Sequence, residues 1–372
     1  MKLLKVLTWI LCLVFSKASD QICVSKNGDI CLPKNYDRLT RPYLDKPIEV
    51  RVDLDVLQVL EINDIEFTLS FSMYFGVRWE EPRLIANSSN EIYVPVDISF
   101  FDELWVPDVY IYHLKQIRRY KIFTDFAGLF VVNSSTILYS HEVHVTIYCP
   151  MRYEKYPLDT QLCPFHIGSY AFDMKSMVFN NEVLQYDNSR KNTILDYHVE
   201  IIPLNEAERI YYWLDIGNYS LTGFQLKLTR NHMKYLLNYF LPSGLFVVVS
   251  WSSFLIPPEI VPGRMTLLVT LFLVLINIFN NITTQSPNTD TMTSVSAWML
   301  SCIMFVFGAL AAYAVLLFFK YIKVKKGQIG PSMTPNTTEN NLRIFDLFCL
   351  FAFPTLFLVF NLFFWALYFE NE

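Results

Sequence analysis

Residues 260–283 form an apolar run in which polar residues recur at helical spacing. Steps of four, three, four and three residues place them on one stripe of a helix. The stripe comprises Thr266, Thr270, Leu273, Asn277 and Asn280. Polar side chains at membrane depth normally face a bundle interior or a water-filled path. The stripe therefore predicts either the lining of a pore or a polar seam of interhelical hydrogen bonds.

Prolines bound this segment at both ends. Pro257, Pro258 and Pro262 force a sharp entry, Arg264 stands at the start, and Pro287 closes the far end. These flanks favour the pore lining over the seam.

The first residues resemble a secretory signal. Residues 1–19 contain Lys2 and Lys5, an apolar run over residues 7–15, and small residues after it. A first membrane anchor is the alternative, but the run is shorter than the ~20 residues a span needs. We therefore expect the mature chain to begin outside the cell.

Residues 20–232 have the pattern of strands and turns. Apolar and polar residues alternate over 67–79, and the same alternation occurs at 50–56 and 224–229. Tyr74 and Arg78 fall on the outward-facing side of the first of these strands. The pattern predicts an extracellular all-β sandwich.

Four apolar segments follow, each long enough to cross a bilayer. They are residues 235–256, 260–283, 294–319 and 345–369. Lysines between the third and fourth segments mark the cytoplasmic side. We predict three spans in 233–319, a flexible cytoplasmic linker at 320–343, and a fourth span with an extracellular C-terminus in 344–372. The fold class is thus a β-sandwich followed by a four-helix transmembrane bundle.

Four cysteines lie in the predicted exterior, namely Cys23, Cys31, Cys149 and Cys163. In an oxidising compartment they predict two disulfides. Zinc ligation is the competing use, but the spacing does not fit a structural zinc site.

Asparagine sequons also follow the predicted topology. Asn87, Asn133 and Asn218 begin Asn-x-Ser triplets in the exterior and are candidate glycosylation sites. Asn281 and Asn336 match the pattern too, but we expect them at the pore end and inside the cell, without sugar.

Several classes of function are disfavoured. The net charge is −5 and no basic stripe alternates with aromatic residues, so no nucleic-acid partner is expected. We find no nucleophile elbow, phosphate-binding glycine loop or metal-binding helix motif, so we expect neither an enzyme nor a cofactor.

Four motifs together resemble the Cys-loop, or pentameric ligand-gated ion channel, family. They are Cys149 and Cys163 around Tyr156-Pro157-Leu158-Asp159, the segment Trp105-Val106-Pro107-Asp108, Pro242 in the first span, and Pro262-Gly263-Arg264. The resemblance implies a pentamer of identical or homologous subunits in the plasma membrane, with the second helix lining the pore. Leu273 resembles the gate residue, since a leucine ring can block ions by dewetting.

The resemblance also implies charge selectivity. Pro262-Gly263-Arg264 lacks the glutamate of cation-conducting relatives and resembles the anionic branch, with Gly263 replacing alanine. Glu259 opposes this expectation, because a carboxylate ring near the mouth favours cations. Chloride is the expected permeant ion, and a cation-selective channel is the alternative.

The family's ligand site lies between neighbouring sandwiches and is lined by aromatic residues. By resemblance its positions are Tyr74 on one side and, on the other, Tyr112, Tyr170, Tyr211, Tyr212 and Tyr219. Electron-rich rings suit a cationic amine. Gly76 stands where relatives gated by γ-aminobutyrate or glycine carry arginine, and Arg78 is the nearest substitute. The small-molecule agonist is therefore expected to be an amine.

Protons or zinc are the alternative trigger. His141 and His144 are close in sequence, but a step of three sends them to opposite faces of a strand. No metal site is therefore expected from this pair.

Coupling between the two halves is assigned by resemblance to Arg230, Asp64 and Asp159. A carboxylate and a guanidinium that pair in one state and separate in another can transmit binding to the pore. A static surface ion pair is the simpler interpretation. A membrane-anchored adhesion or signalling receptor that does not conduct is the alternative of another class.

Overall fold

A computed structural model describes residues 22–23, 30–86, 93–123, 125–186, 196–213, 216–257, 260–287, 289, 291–327 and 335–369. The expected signal peptide at 1–19, the sequon at Asn87 and Glu259 lie outside these residues. The chain divides into two compact units. The first contains Met1–Pro150, Leu162–Ile194 and Val199–Lys227. The second contains Met151–Gln161, Leu195–His198 and Leu228–Glu372, so two short segments expected in the sandwich group with the helices.

The described part of the first unit is built from β-strands and two short 3-10 turns, at Ile98–Glu103 and Glu206–Arg209. The strands are β1 (Ile22–Cys23), β2 (Ile30–Leu32), β3 (Ile48–Asn63), β4 (Thr68–Glu80), β5 (Ile85–Ala86), β6 (Tyr93–Val96), β7 (Tyr110–Ile111), β8 (Leu114–Arg119), β9 (Ala127–Val132), β10 (Thr136–Tyr148), β11 (Thr160–Gly168), β12 (Met177–Tyr186), β13 (Tyr197–Pro203), β14 (Ile210–Trp213) and β15 (Gly217–Arg230). The expected all-β character is confirmed.

Two sheets form the sandwich. One has the order β12-β3-β4-β10-β9-β6, with β8 also on β10, and the other has the order β13-β15-β11-β7, with β14 on β15. Phe71 of the first sheet packs on Phe165 and Phe224 of the second, with ring centroids 5.4 and 6.1 Å away. The alternating apolar residues of β4 thus supply the core, and the residues between them, which include the exposed Tyr74, lie on the other face of the strand.

Disulfides hold this unit at two places. Cys149 is bonded to Cys163, as expected. Cys31 is also disulfide-bonded, and the β1–β2 register sets Cys23 opposite it. A smaller sheet of order β1-β2-β5 contains this second position.

The second unit contains four long helices, and each has a stretch apolar and long enough to cross a membrane. They are α1 (Met233–Leu255), α2 (Val261–Gln285), α3 (Ser294–Gly327) and α4 (Pro335–Phe369). The four expected spans are therefore confirmed.

The helices reach beyond the spans expected for them. α3 continues to Gly327 and α4 already begins at Pro335, so most of the residues expected in a flexible linker are helical. The lysines after residue 319 favour continuation of α3, because lysine is a good helix former. Pro335 favours the start of α4, because proline fits the first turn of a helix.

Candidate functional site

A cluster of tyrosines lies on the sandwich unit at the ends of three strand segments. The ring of Tyr110 is 4.9 Å from that of Tyr112 and 5.5 Å from that of Tyr170. Tyr112 in turn lies 5.8 Å from Tyr211. Tyr170 is 66% exposed and Tyr211 is 44% exposed. The cluster therefore offers ring faces to a ligand rather than packing only against the core.

The loop that carries Tyr170 is fixed by Asp108. Its Oδ2 accepts hydrogen bonds from Ser169 Oγ at 2.9 Å, Tyr170 N at 2.8 Å and Ala171 N at 2.8 Å. A carboxylate that accepts backbone N–H groups makes strong, charge-assisted bonds. Asp108 therefore positions Tyr170 beside Tyr110.

Tyr112 is the half-buried centre of the cluster. Burial raises the pKa of its hydroxyl, and the neighbouring Tyr211 and Tyr110 raise this pKa further. The phenol is therefore neutral at physiological pH and remains able to donate a hydrogen bond.

The hairpin of β14 and β15 divides its aromatic residues between two faces. Tyr211 pairs with Tyr219, whereas Tyr212 pairs with Asn218. Tyr219 is buried under Trp213, with ring centroids 6.2 Å apart. Strand alternation sends Tyr212, which is 69% exposed, to the face opposite Tyr211. Tyr219 thus supports the cluster from below, and Tyr212 stands apart from it.

Tyr74 belongs to the other sheet and is flanked by carboxylates. In the register of β3, β4 and β10 it lies opposite Asp55 on one side and Glu142 on the other. Directly opposed residues of an antiparallel pair point to the same face, with Cβ atoms about 4.5–5.5 Å apart. Tyr74 is 46% exposed. This outer face therefore combines an aromatic ring with two acidic side chains.

Arg78 already has an acidic partner on the same face. Its Nε donates to Asp53 Oδ2 at 2.7 Å, and both side chains are about three-quarters buried, with 25% and 19% exposure. Gly76 lies directly opposite Asp53 in the strand register, and a Cβ there would meet the Asp53 Cβ at 3.0 Å. Asp53 thus balances the charge of Arg78.

The two histidines considered as triggers lie in different environments. His141 is buried between Phe75 and Tyr139, with centroid distances of 5.5 and 5.0 Å. Burial, together with a smaller contribution from the charge of Arg119, lowers its pKa from 6.5 to about 4. His144 lies on the opposite face of the same strand and is half-buried. His141 is therefore neutral at the pH of extracellular fluid.

The polar stripe of α2 lies on the exposed side of the helix in the single chain. All five of its members are exposed, and Leu273 is 53% exposed. The opposite side is buried in the helical unit through Leu268, Leu271 and Leu275. Thr270 Oγ1 donates to the carbonyls of Thr266 and Leu267 within α2, at 2.8 and 2.9 Å. Within one subunit, then, the stripe does not serve as a buried polar seam.

The residues at the N-terminal end of α2 also divide between an exposed and a buried side of the helix. Pro262 and Gly263 are exposed, whereas Arg264 is fully buried and bonded to Asp346 of α4. Arg264 was expected to line the pore, and the structure instead turns it into the helical unit. The reason is helical geometry, because Arg264 and Thr266 are two residues, or about 200°, apart around the helix.

The loop enclosed by the disulfide is tied to the last residue of β15, just before α1, and to the start of α3. Arg230 donates from Nε and Nη2 to both oxygens of Asp159, at 2.8 and 3.2 Å. The side chains are only 3% and 2% exposed. The hydroxyl of Ser294 donates to the Tyr156 carbonyl at 2.6 Å, and the Val295 N–H reaches the same oxygen at 3.2 Å.

Asp64, the third expected coupling residue, lies in the turn after β3. Asp159 is a bidentate partner of Arg230. The guanidinium of Arg230 also lies over the rings of Tyr156 and Tyr197, at 4.8 and 4.5 Å. The Asp159 carboxylate and these two rings therefore help to hold Arg230 in place.

Two of the three expected sugar sites lie on the described surface. Asn133 is exposed in the turn between β9 and β10, where its φ of 48° is left-handed. Asn218 is exposed on β15. Both side chains are accessible to modification.

Sequence reasoning missed several residues of these sites, namely Tyr110, Trp213, Asp55, Glu142, Ser294 and Asp346. Tyr110 shares the strand parity of Tyr112, so alternation alone contained that signal. Asp346 is an acidic residue in an apolar span, which by itself marks a position of interest. The cross-strand neighbours of Tyr74 had no such local signal, because they depend on register.

Comparisons with known proteins cover both units. Residues 31–231 match the family model of the neurotransmitter-gated ion-channel ligand binding domain, and residues 239–342 match that of the transmembrane region of these channels. The chain is 28% identical over 324 residues to the γ-aminobutyric acid receptor subunit pi of Rattus norvegicus, covering 83% of this chain and 71% of the relative.

Two further relatives carry named activities. The glutamate-gated chloride channel subunit beta of Haemonchus contortus is 30% identical over 298 residues, covering 76% of this chain and 68% of the relative. The human γ-aminobutyric acid receptor subunit rho-1 is 26% identical over 313 residues, with 82% and 64% covered.

Proposed function

The chain belongs to the family of neurotransmitter-gated ion channels, and on that premise we propose that it forms a chloride channel opened by a small cationic amine bound between neighbouring subunits. Family membership removes the alternative of a non-conducting adhesion receptor. The finer claims concern the pore, the permeant ion and the agonist.

The polar stripe of α2 is the observation that carries the conducting role. It is exposed in the single chain, while the buried side of α2 is apolar. Hydrated hydroxyl and amide groups at membrane depth need a water-filled path or other polar partners. Five copies around an axis supply such a path, with the Leu273 ring as its dewetting gate.

The relatives and the foot of α2 support the choice of chloride. One relative bears the name of a glutamate-gated chloride channel. Pro262-Gly263-Arg264 lacks the glutamate that the resemblance associates with cation conduction. We therefore expect reversal potentials to follow the chloride gradient.

Charge at the two faces supports an amine as agonist. One face carries the cluster of Tyr110, Tyr112, Tyr170 and Tyr211, and the other carries Tyr74 between Asp55 and Glu142. Aromatic rings attract an ammonium group, and carboxylates bind it through charge-assisted hydrogen bonds. Asp53 pairs with Arg78, whose guanidinium would otherwise be available to bind the carboxylate of an acidic agonist. The two faces therefore complement a cation when they meet across a subunit interface.

Recording from oocytes that express the chain tests the proposal. The compounds applied are tyramine, dopamine, serotonin, histamine and acetylcholine, with γ-aminobutyrate, glutamate, glycine, zinc and pH steps as comparison. We expect an amine to evoke a current whose reversal potential shifts when external chloride is replaced by gluconate. Currents evoked only by the amino acids, zinc or protons would contradict the agonist class, and reversal that follows sodium would contradict the permeant ion.

A further inference from the structure

An ion pair buried in the helical unit joins the foot of α2 to α4. Arg264 donates from Nη2 to Asp346 Oδ1 at 2.8 Å and from Nη1 to Oδ2 at 3.1 Å. The side chain of Arg264 is 0% exposed and that of Asp346 is 9% exposed. Two parallel bonds of this kind fix the orientation of both partners as well as their distance.

Aromatic rings enclose the guanidinium. Its central carbon lies 4.3 Å from the ring centre of Tyr313 on α3 and 5.4 Å from that of Phe254 in α1. Phe254 and Tyr313 belong to a buried cluster with Leu268, Ala309 and Cys349. Arg264 Nε has no hydrogen-bond partner among the described residues, so the hydrogen bonds that orient the side chain are those to Asp346. Arg264 is thereby the point where all four helices meet.

We propose that Asp346 and Arg264 form a latch through which the fourth helix positions the cytoplasmic end of the pore-lining helix. Asp346 is a positioning residue in this scheme, because it touches neither the conducting stripe nor a ligand. The inference rests on the proposed pore, since a latch matters only if α2 lines a conduit.

The latch also assigns a role to the arginine of the Pro262-Gly263-Arg264 motif. A guanidinium that faces a carboxylate inside the unit contributes little field to a conduit on the other side of the helix. The burial of Arg264 therefore points to anchoring of α2 rather than to attraction of anions.

Buried ion pairs respond differently to the loss of one partner and to the loss of both. Removal of one partner leaves an uncompensated buried charge, whereas exchange of both for apolar residues of similar volume often leaves stability unchanged. The double variant Arg264→Met/Asp346→Leu therefore keeps the fold but removes the latch. The single variants Arg264→Met and Asp346→Leu are expected to reach the surface poorly.

The test uses two readouts in cells that express the full chain. The first is the leak of a Leu273→Thr background, in which a wetted constriction conducts without agonist. It is divided by the amount of receptor biotinylated at the surface. The second is the rate at which a membrane-impermeant fluorescent thiol reagent labels Thr266→Cys, measured on a gel and independent of any current. The matched control is the exchange Lys227→Met/Glu200→Leu, which removes an exposed ion pair of 3.4 Å.

We expect the double variant to reach the surface like the parent, with the leak per receptor and the labelling rate each changed by about fivefold or more. The control exchange is expected to change neither. Parental leak and labelling in the double variant would overturn the latch. Surface receptors of the Leu273→Thr background without leak would contradict the proposed pore, and the labelling rate would then decide on the latch alone.

Discussion

The carboxylate of Asp53 accepts a hydrogen bond from Arg78 Nε at 2.7 Å on the outer face of the sandwich. Two further carboxylates, those of Asp55 and Glu142, lie on either side of Tyr74 in the strand register. The guanidinium that the sequence suggested as a holder of an acidic agonist is thus already engaged. The proposed preference for an amine depends on the charges of this face.

Removal of the arginine is expected to increase sensitivity to amines. Arg78→Gln leaves the Asp53 carboxylate unbalanced near the site, so the half-maximal amine concentration should fall by roughly two- to fivefold. Asp53→Asn should raise it by a similar factor. Concentration–response curves measure both, and equal shifts in the same direction would contradict an electrostatic role for the pair.

The two carboxylates beside Tyr74 are expected to contribute more to the affinity for an amine than Arg78 and Asp53 do. Asp55→Asn and Glu142→Gln each remove a charged partner of an ammonium group, which predicts a roughly ten- to hundredfold rise in the half-maximal amine concentration. Glu49→Gln is the control, since Glu49 is exposed on β3 with the same strand parity, about 20 Å along from Asp55. Unchanged curves for both site variants would place the amine elsewhere.

Acid is expected to destabilise the protein through His141. Its folded-state pKa of about 4 lies below the ordinary 6.5, so its stabilising contribution is complete above pH 6.5 and is lost as the pH falls towards 4. About 3 kcal/mol depends on this shift. The melting temperature of the detergent-solubilised full chain should therefore fall over this interval, and less so in His141→Phe.

His144→Gln is the control for that experiment, because His144 is half-buried on the other face of the same strand. It should retain the full acid dependence. A His141→Phe profile identical to the parental profile would contradict the burial of a neutral imidazole.

The pair of Arg230 and Asp159 is expected to be sensitive to single changes. Arg230→Gln or Asp159→Asn leaves a buried charge without its partner, at a cost of about 3–5 kcal/mol. The exchanged pair Asp159→Arg/Arg230→Asp should recover part of the surface expression and current. Asp64→Arg/Arg230→Asp should not, because it sets an aspartate beside Asp159. Recovery by the second exchange and not by the first would show that Arg230 works with Asp64.

Local patterns were sufficient for the architecture. Period-two alternation identified β4, because burial of one face of a strand requires an apolar residue at every second position. The four apolar runs identified the helices, because a span in lipid requires consecutive apolar residues. The linker was less predictable, since lysine-rich and proline-initiated segments can extend helices beyond the bilayer.

Contacts between residues far apart in the sequence could not be predicted from local patterns. Arg264 and Asp346 are 82 residues apart, and no local pattern pairs them. Helical spacing alone does, however, set Arg264 on the stripe of Leu268, Leu271 and Leu275. Helical spacing therefore predicts that Arg264 lies on the buried face of α2, but it does not identify Asp346 as the partner.

Accessibility of the α2 stripe to water tests the central claim most directly. Cysteines at Thr266 and Thr270 are compared with one at the buried Leu268, using a charged, water-soluble thiol reagent during recording. Within the part of the chain that the structure describes, the free cysteines Cys302 and Cys349 are buried, so neither should react with the reagent. We predict that the reagent changes the current of the Thr266→Cys and Thr270→Cys channels and not of Leu268→Cys. Unreactive cysteines at both threonines, with channels open or shut, would contradict a conduit lined by α2.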